Sequence, residues 1–421
     1  MRERPVKRVT SRVDIGEDET VWLRARRFPL TRQASRLRKE RVRRAMDTSA
    51  STLLDRPPGG SASPAVFGDR LVSFSAPVPT EKASYQPALG VLRVTAVFGV
   101  AALHIISLGL KGTDPGTPAW WIANFYDVST RWCVPVFIMI SGALLLNPRR
   151  SPSVGTFYRK RMHRILIPLV FWSVFYLGWQ AYFEGITPRT VLVGLVRGNP
   201  YGHLWYLYMI AGLYLITPVL QPFLRGTTRR EQIAIIVPLL VAVCAHSLIN
   251  TFTGGHGKVT VFSQFVPYIP YYLCGSLLMQ IVVPSAWLKH LVVGIVGIWL
   301  AIALGTGLFF SRVEFYLGSH HCPLVILMSI AVFLLVSGLF GQHRINGGPS
   351  WKLLRFLDDR SFGVYLIHPL FMLIVMQLGL HQRYLVPQPL VSIPIISVLV
   401  ILASLLVTSF FKAIPGLRRV V

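Results

Sequence analysis

From about residue 88 onward the sequence is a succession of apolar runs, each long enough to cross a bilayer and separated by short polar connections. A helix rises about 1.5 Å per residue, so roughly 20 residues span the ~30 Å of hydrocarbon. Backbone amides find no water there, and a helix satisfies them within the segment. The runs fall at about 88–110, 131–147, 164–183, 203–224, 232–250, 264–283, 287–310, 323–341, 362–380 and 389–411. The expected fold is all-α: a polytopic integral membrane protein of about ten transmembrane helices. The second run is short, and Pro267 and Pro270 interrupt the sixth.

Charge sets the orientation. The chain carries 43 Lys and Arg against 17 acids, a net +26. Such an excess could serve nucleic acid, but the bases cluster at the ends of the apolar runs. Membrane orientation and anionic lipid headgroups account for them, and no nucleic-acid partner is expected. With ten spans both termini share one side, and the connections and C-terminal tail on that side hold more than twice the Lys and Arg of the opposite side. Positively charged short loops mark the cytoplasm, so both termini are expected inside, in a multi-pass protein of the plasma (cytoplasmic) membrane. Only 14% of residues are charged, against about a quarter in soluble domains.

Residues 1–86 form a basic, Ser- and Pro-rich tail, expected to be mostly disordered, and residues 87–421 form the membrane domain. Arg24–Arg44 is read as a solvated charge run, with a membrane-surface helix as its alternative; Met46 is a possible second initiator, and the start shows no secretory signal pattern. Cys133, Cys244, Cys274 and Cys322 lack paired spacing, so neither a disulfide framework nor a metal site is expected.

Two ionisable residues lie inside the first run. Arg93 and His104 are eleven apart, which brings them within roughly 20° on a helix face and about 16 Å apart in depth. Ionisable groups are costly in hydrocarbon and mark sites or pathways. The bland alternatives are a snorkelling Arg93 and a His104 bonded to a neighbouring helix.

Further along, Arg159, Arg161 and Arg164 lead into the third run, with Arg161 and Arg164 three apart. Two guanidiniums on one face suit phosphate, although a topology signal also needs bases there. Ser141-Gly142 in the second run allows close approach of a helix or ligand, and packing alone explains it. Asp127 and Arg131, i and i+4, either pair with each other or line an outward site. His203, Trp205 and Tyr208 open the fourth span from the outside as belt aromatics or as a sugar platform. Trp120, Trp121, His320 and His321 join the outer-face aromatics and imidazoles. His368, read in the cytoplasmic half of the ninth span, either bonds a carbonyl freed by Pro369 or serves substrate.

These segments, in this order, resemble the integral-membrane acyltransferase family 3, which includes O-acetyl- and O-succinyltransferases of bacterial surface glycans. The resemblance runs from Ala88 through the tenth span. It rests on Arg93 and His104, the Phe137-x-x-x-Ser141-Gly142 stretch, Arg161-x-x-Arg164, His203-Leu-Trp-Tyr-Leu-Tyr208 and Tyr365-Leu-Ile-His368-Pro. It implies acetyl-CoA or another acyl-CoA as cytoplasmic donor, no metal, and a hydroxyl of a glycan or lipid-linked sugar as acceptor. The implied catalytic residues are His104 and Arg93, with Arg161, Arg164, Arg159 and Ser141 toward the donor. His203, Trp205, Tyr208, Asp127, Arg131 and His368 are then candidates toward the substrate. On this reading His104, with a reference pKa of about 6.5, is the general base. The rival class is a transporter or flippase of a glycan or lipid-linked precursor, but no halves with matching motifs are visible.

Overall fold

The computed structural model describes residues 86–147, 153–253, 259–309, 316–341 and 348–421. The tail, with Arg24–Arg44 and Met46, lies outside the described residues.

The described chain is helical, without strands. In order come α1 (Pro87–Gly112), α2 (Pro118–Val128), α3 (Cys133–Leu145), α4 (Val154–Phe183), α5 (Pro188–Arg197) and α6 (Trp205–Gly226). Then follow α7 (Arg229–Thr253), α8 (Ile269–Leu278), α9 (Ser285–Leu308), α10 (Pro323–Phe340), α11 (Pro349–Gln377) and α12 (Pro389–Ala413). Six of these start on proline, whose fixed φ and missing N–H suit the first helical position. Thr117 and Thr187 cap α2 and α5, their hydroxyls accepting from the Trp120 and Thr190 amides at 3.2 Å. Gly198 closes α5 at φ +68°, a left-handed turn that a Cβ would strain.

Nine helical segments among the described residues are long and apolar enough to cross a membrane, counting α2–α3 and α5–α6 as one interrupted segment each. The sixth predicted run differs. Pro267 opens a short 3₁₀ turn, and the helix after it, α8, has only 10 residues. α11 also differs, starting at Pro349, well before its apolar stretch.

Direction recovers the count. Arg93 of α1 pairs with Asp358 of α11, and His104 of α1 packs on His368 of α11. Residue numbers rise together across the contact, so the two helices run parallel. Parallel crossings are separated by an odd number of others. Six long segments lie between them, and the stretch carrying α8 supplies the seventh, giving about ten.

Burial separates the centre from the rim. α1, α2–α3 and α11 are mostly buried, whereas α7 and α9 are as apolar but mostly exposed. Val219, Val293 and Leu406 are each more than 70% exposed, as expected of side chains that meet lipid. Between helices in lipid the hydrophobic effect contributes little, and close packing of small residues takes its place. Gly142 of α3 abuts the Tyr272 carbonyl of α8, and Gly275 of α8 abuts that of Met139, so a Cβ at either position would overlap backbone. Packing thus accounts for Gly142.

Candidate active site

Three imidazoles from distant parts of the chain converge in the centre. His104 (α1), His203 (the 3₁₀ turn before α6) and His368 (α11) are each at most 2% exposed. The His104 and His368 ring centroids are 5.1 Å apart, and those of His203 and His368 5.8 Å. His104 therefore faces α11 rather than lipid.

Tyrosines frame the cluster. Tyr176 of α4 sets its ring edge-on to His203 at 4.9 Å, stacks on Tyr201 at 4.5 Å, and donates its hydroxyl to the Leu366 carbonyl at 2.7 Å. Tyr365 donates its hydroxyl to the His203 carbonyl. These bonds tie α4, the turn before α6 and α11 around the three rings. His368 Nδ1 donates to the Val364 carbonyl at 3.2 Å. The Tyr365 carbonyl, which Pro369 leaves open, also faces His368. Donation from Nδ1 leaves Nε2 of His368 as the acceptor in the neutral ring. Nε2 of His104, both nitrogens of His203 and Nε2 of His368 are buried without a hydrogen-bond partner. Buried polar atoms are normally satisfied, so four such nitrogens in one place mark a site built for a polar guest.

The placement of His368 corrects the expectation of a cytoplasmic-half residue. Because α11 starts at Pro349, His368 lies beyond its midpoint, level with His104.

A second polar layer lies toward the end where α1 begins. Arg93 is buried and ion-paired with Asp358, an acid that the sequence reading passed over. Snorkelling is thereby replaced by an internal pair. Arg161 and Arg164 of α4 are half-buried and both interact electrostatically with Tyr214 of α6, while Arg159 is exposed. Counted along α4 from Tyr176, these two arginines lie roughly 18–22 Å below the imidazoles. Arg93 lies about 16 Å below His104. Ser141 is buried in α3 beside the Gly142 contact.

At the opposite end, Asp127 and Arg131 pair with each other, Oδ2 lying 2.6 Å from Nε and 2.5 Å from Nη2. Arg131 Nη1 also donates to the Gly318 carbonyl at 2.8 Å, tying the α2–α3 break to the loop before α10. In that loop, burial lowers His320 to about 3, with Arg131 and then His321 adding to it, and lowers His321 to about 4, with His246 adding. Both are neutral at physiological pH. Trp205 is buried, not a belt residue, and packs on Tyr268 at 5.4 Å, which in turn meets His321 at 5.1 Å. Tyr208 is half-buried, beside Gly198. Trp120 is buried, and Trp121 packs against Gly307. Among the described residues no group of three or more His, Cys, Asp or Glu is arranged to hold a metal.

Compared with known proteins, residues 86–409 match the family model described as an acyltransferase domain. No curated protein and no solved structure matches the chain.

Proposed function

The chain belongs to the integral-membrane acyltransferase family 3, and on that premise we propose that it moves an acyl group, expected to be acetyl, from cytoplasmic acyl-CoA to a hydroxyl of a cell-surface glycan or lipid-linked sugar. It is a multi-pass membrane acyltransferase. The end carrying Arg159, Arg161 and Arg164 is assigned to the cytoplasm of the plasma membrane by its excess of bases.

The observation that carries the proposal is the convergence of His104, His203 and His368, with partnerless nitrogens, well above a layer of arginines. Arg161 and Arg164 take the phosphates of coenzyme A at the inner surface, with Arg159 adding charge at the rim. The pantetheine arm then rises past Arg93 and Ser141 toward the imidazoles. The acceptor comes from the opposite side, along Trp205, Tyr208 and the Asp127–Arg131 pair.

At the cluster, His104 Nε2 takes the proton from the acceptor hydroxyl as its oxygen bonds to the thioester carbonyl carbon. The tetrahedral intermediate collapses, the carbon–sulfur bond breaks, and the CoA thiolate leaves and takes the proton from His104. His368, fixed with Nε2 as acceptor, receives a hydrogen bond from the hydroxyl or from His104 and holds it in line. His203 closes the third side.

Membranes containing the protein, given acyl-labelled CoA and cell-envelope lipids and glycans, should lose label from CoA and gain it on an acceptor. Label that stays on CoA while a glycan precursor crosses the membrane would favour a transporter.

A further inference from the structure

Asp358 pairs with the arginine of α1, and it comes from the same helix as His368. Arg93 and Asp358 are buried to similar degrees, with side chains 8% and 7% exposed. Between the parallel helices α1 and α11 there are thus two polar rungs: Arg93–Asp358 near one face, and His104–His368 deeper in. Lys412 and Arg360 pair with the neighbouring Asp359, whereas Asp358 pairs with Arg93 of α1.

A pair of this kind is a poor way to gain stability. Desolvating two charges offsets much of their attraction, and packed apolar residues of equal volume usually serve as well or better. Its value lies in placement. A guanidinium within reach of headgroups swings outward unless something inside the bundle holds it. Asp358 accepts from Nη1 and so fixes the fork of Arg93 in the interior, on the same helix as His104.

We infer that Asp358 is a positioning residue: it holds Arg93 at the depth where the acyl-CoA arm passes. This rests on the acyltransferase reading above. It predicts that the charge must sit on α1 and be aimed by α11, not merely that the two charges cancel.

The test compares wild type with Asp358→Asn, Asp358→Glu and the reversed pair Arg93→Asp/Asp358→Arg in native membranes. Thermal midpoint in detergent reports folding, and KM for acyl-CoA and kcat report function. Asp358→Asn should raise KM for acyl-CoA at least tenfold, with a smaller change in kcat, and Asp358→Glu should recover part of the loss. The reversed pair should regain the wild-type midpoint yet stay as impaired as the single variant. A reversed pair that regains both midpoint and KM would make the contact a structural pair only and overturn the inference, as would an Asn variant with unchanged KM. A wild type that transfers no label would instead sink the acyltransferase reading beneath it.

Discussion

His104 and His368 stand with ring centroids 5.1 Å apart on α1 and α11, two helices that run in the same direction through the bundle. Neither Nε2 has a hydrogen-bond partner, and the Nδ1–H of His368 is engaged by the Val364 carbonyl. The pair is therefore set up with an acceptor nitrogen whose orientation is fixed by backbone, beside a second imidazole that is free to exchange a proton.

His368→Ala removes that fixed acceptor together with the ring's packing on His104, His203 and Tyr365, so the melting midpoint is measured beside activity. Turnover should fall by roughly a hundredfold, the lower end of the range for a group assisting proton transfer, with KM for acyl-CoA little changed. Steady-state kinetics in membranes check this.

Arg161→Gln and Arg164→Gln act on the donor alone. Losing a charge-assisted contact of about 1.5–3 kcal/mol should raise KM for acyl-CoA by roughly 10–100-fold with kcat preserved, the pattern of lost uniform binding. Equal losses in kcat would place these arginines at the reacting atoms instead.

Gly142→Ala puts a methyl group where α8 presents the Tyr272 carbonyl. The helices must separate, at a cost of about 1–3 kcal/mol. The melting midpoint in detergent should drop, and an unchanged midpoint would show that α3 and α8 do not touch there.

His320 and His321 make the loop before α10 acid-sensitive. Their pKa values fall from 6.5 to about 3 and about 4 on folding, chiefly through burial. Above 6.5 both are neutral, folded or unfolded, and contribute no pH dependence. As pH drops below 6.5 the unfolded chain binds protons first, so stability is lost progressively down to the folded values. The melting midpoint of wild type should therefore fall through this window, and the fall should be shallower in His320→Gln/His321→Gln.

Much of this arrangement was legible in the sequence, and the exceptions have physical causes. The eleven-residue spacing of Arg93 and His104 put both on one face, and that face meets α11. The pairing of Asp127 with Arg131 was one of the two readings that their i,i+4 spacing allowed. Asp358 was missed because α11 begins within a polar stretch containing Lys352, Arg355 and Arg360, which reads as a connection when apolar length is the guide. Two adjacent acids in that otherwise basic stretch were the available signal. The same early start displaced His368 from its expected depth. Trp205 stands between two readings for a different reason: a belt tryptophan and a buried one have identical local sequence, and the contact with Tyr268, more than sixty residues on, removes the belt. α8 was weak because two prolines shorten it, and no periodicity reveals that a half-length helix completes a crossing.

The central claim is that acyl transfer takes place at the imidazole cluster with His104 as base. Acyl-labelled CoA added to membranes holding equal amounts of folded wild type and His104→Gln tests it most directly. The expected result is acceptor labelling by wild type and a rate lower by roughly 10²–10⁴-fold for the variant, with the melting midpoint retained. Wild-type labelling by a folded His104→Gln protein would contradict the account.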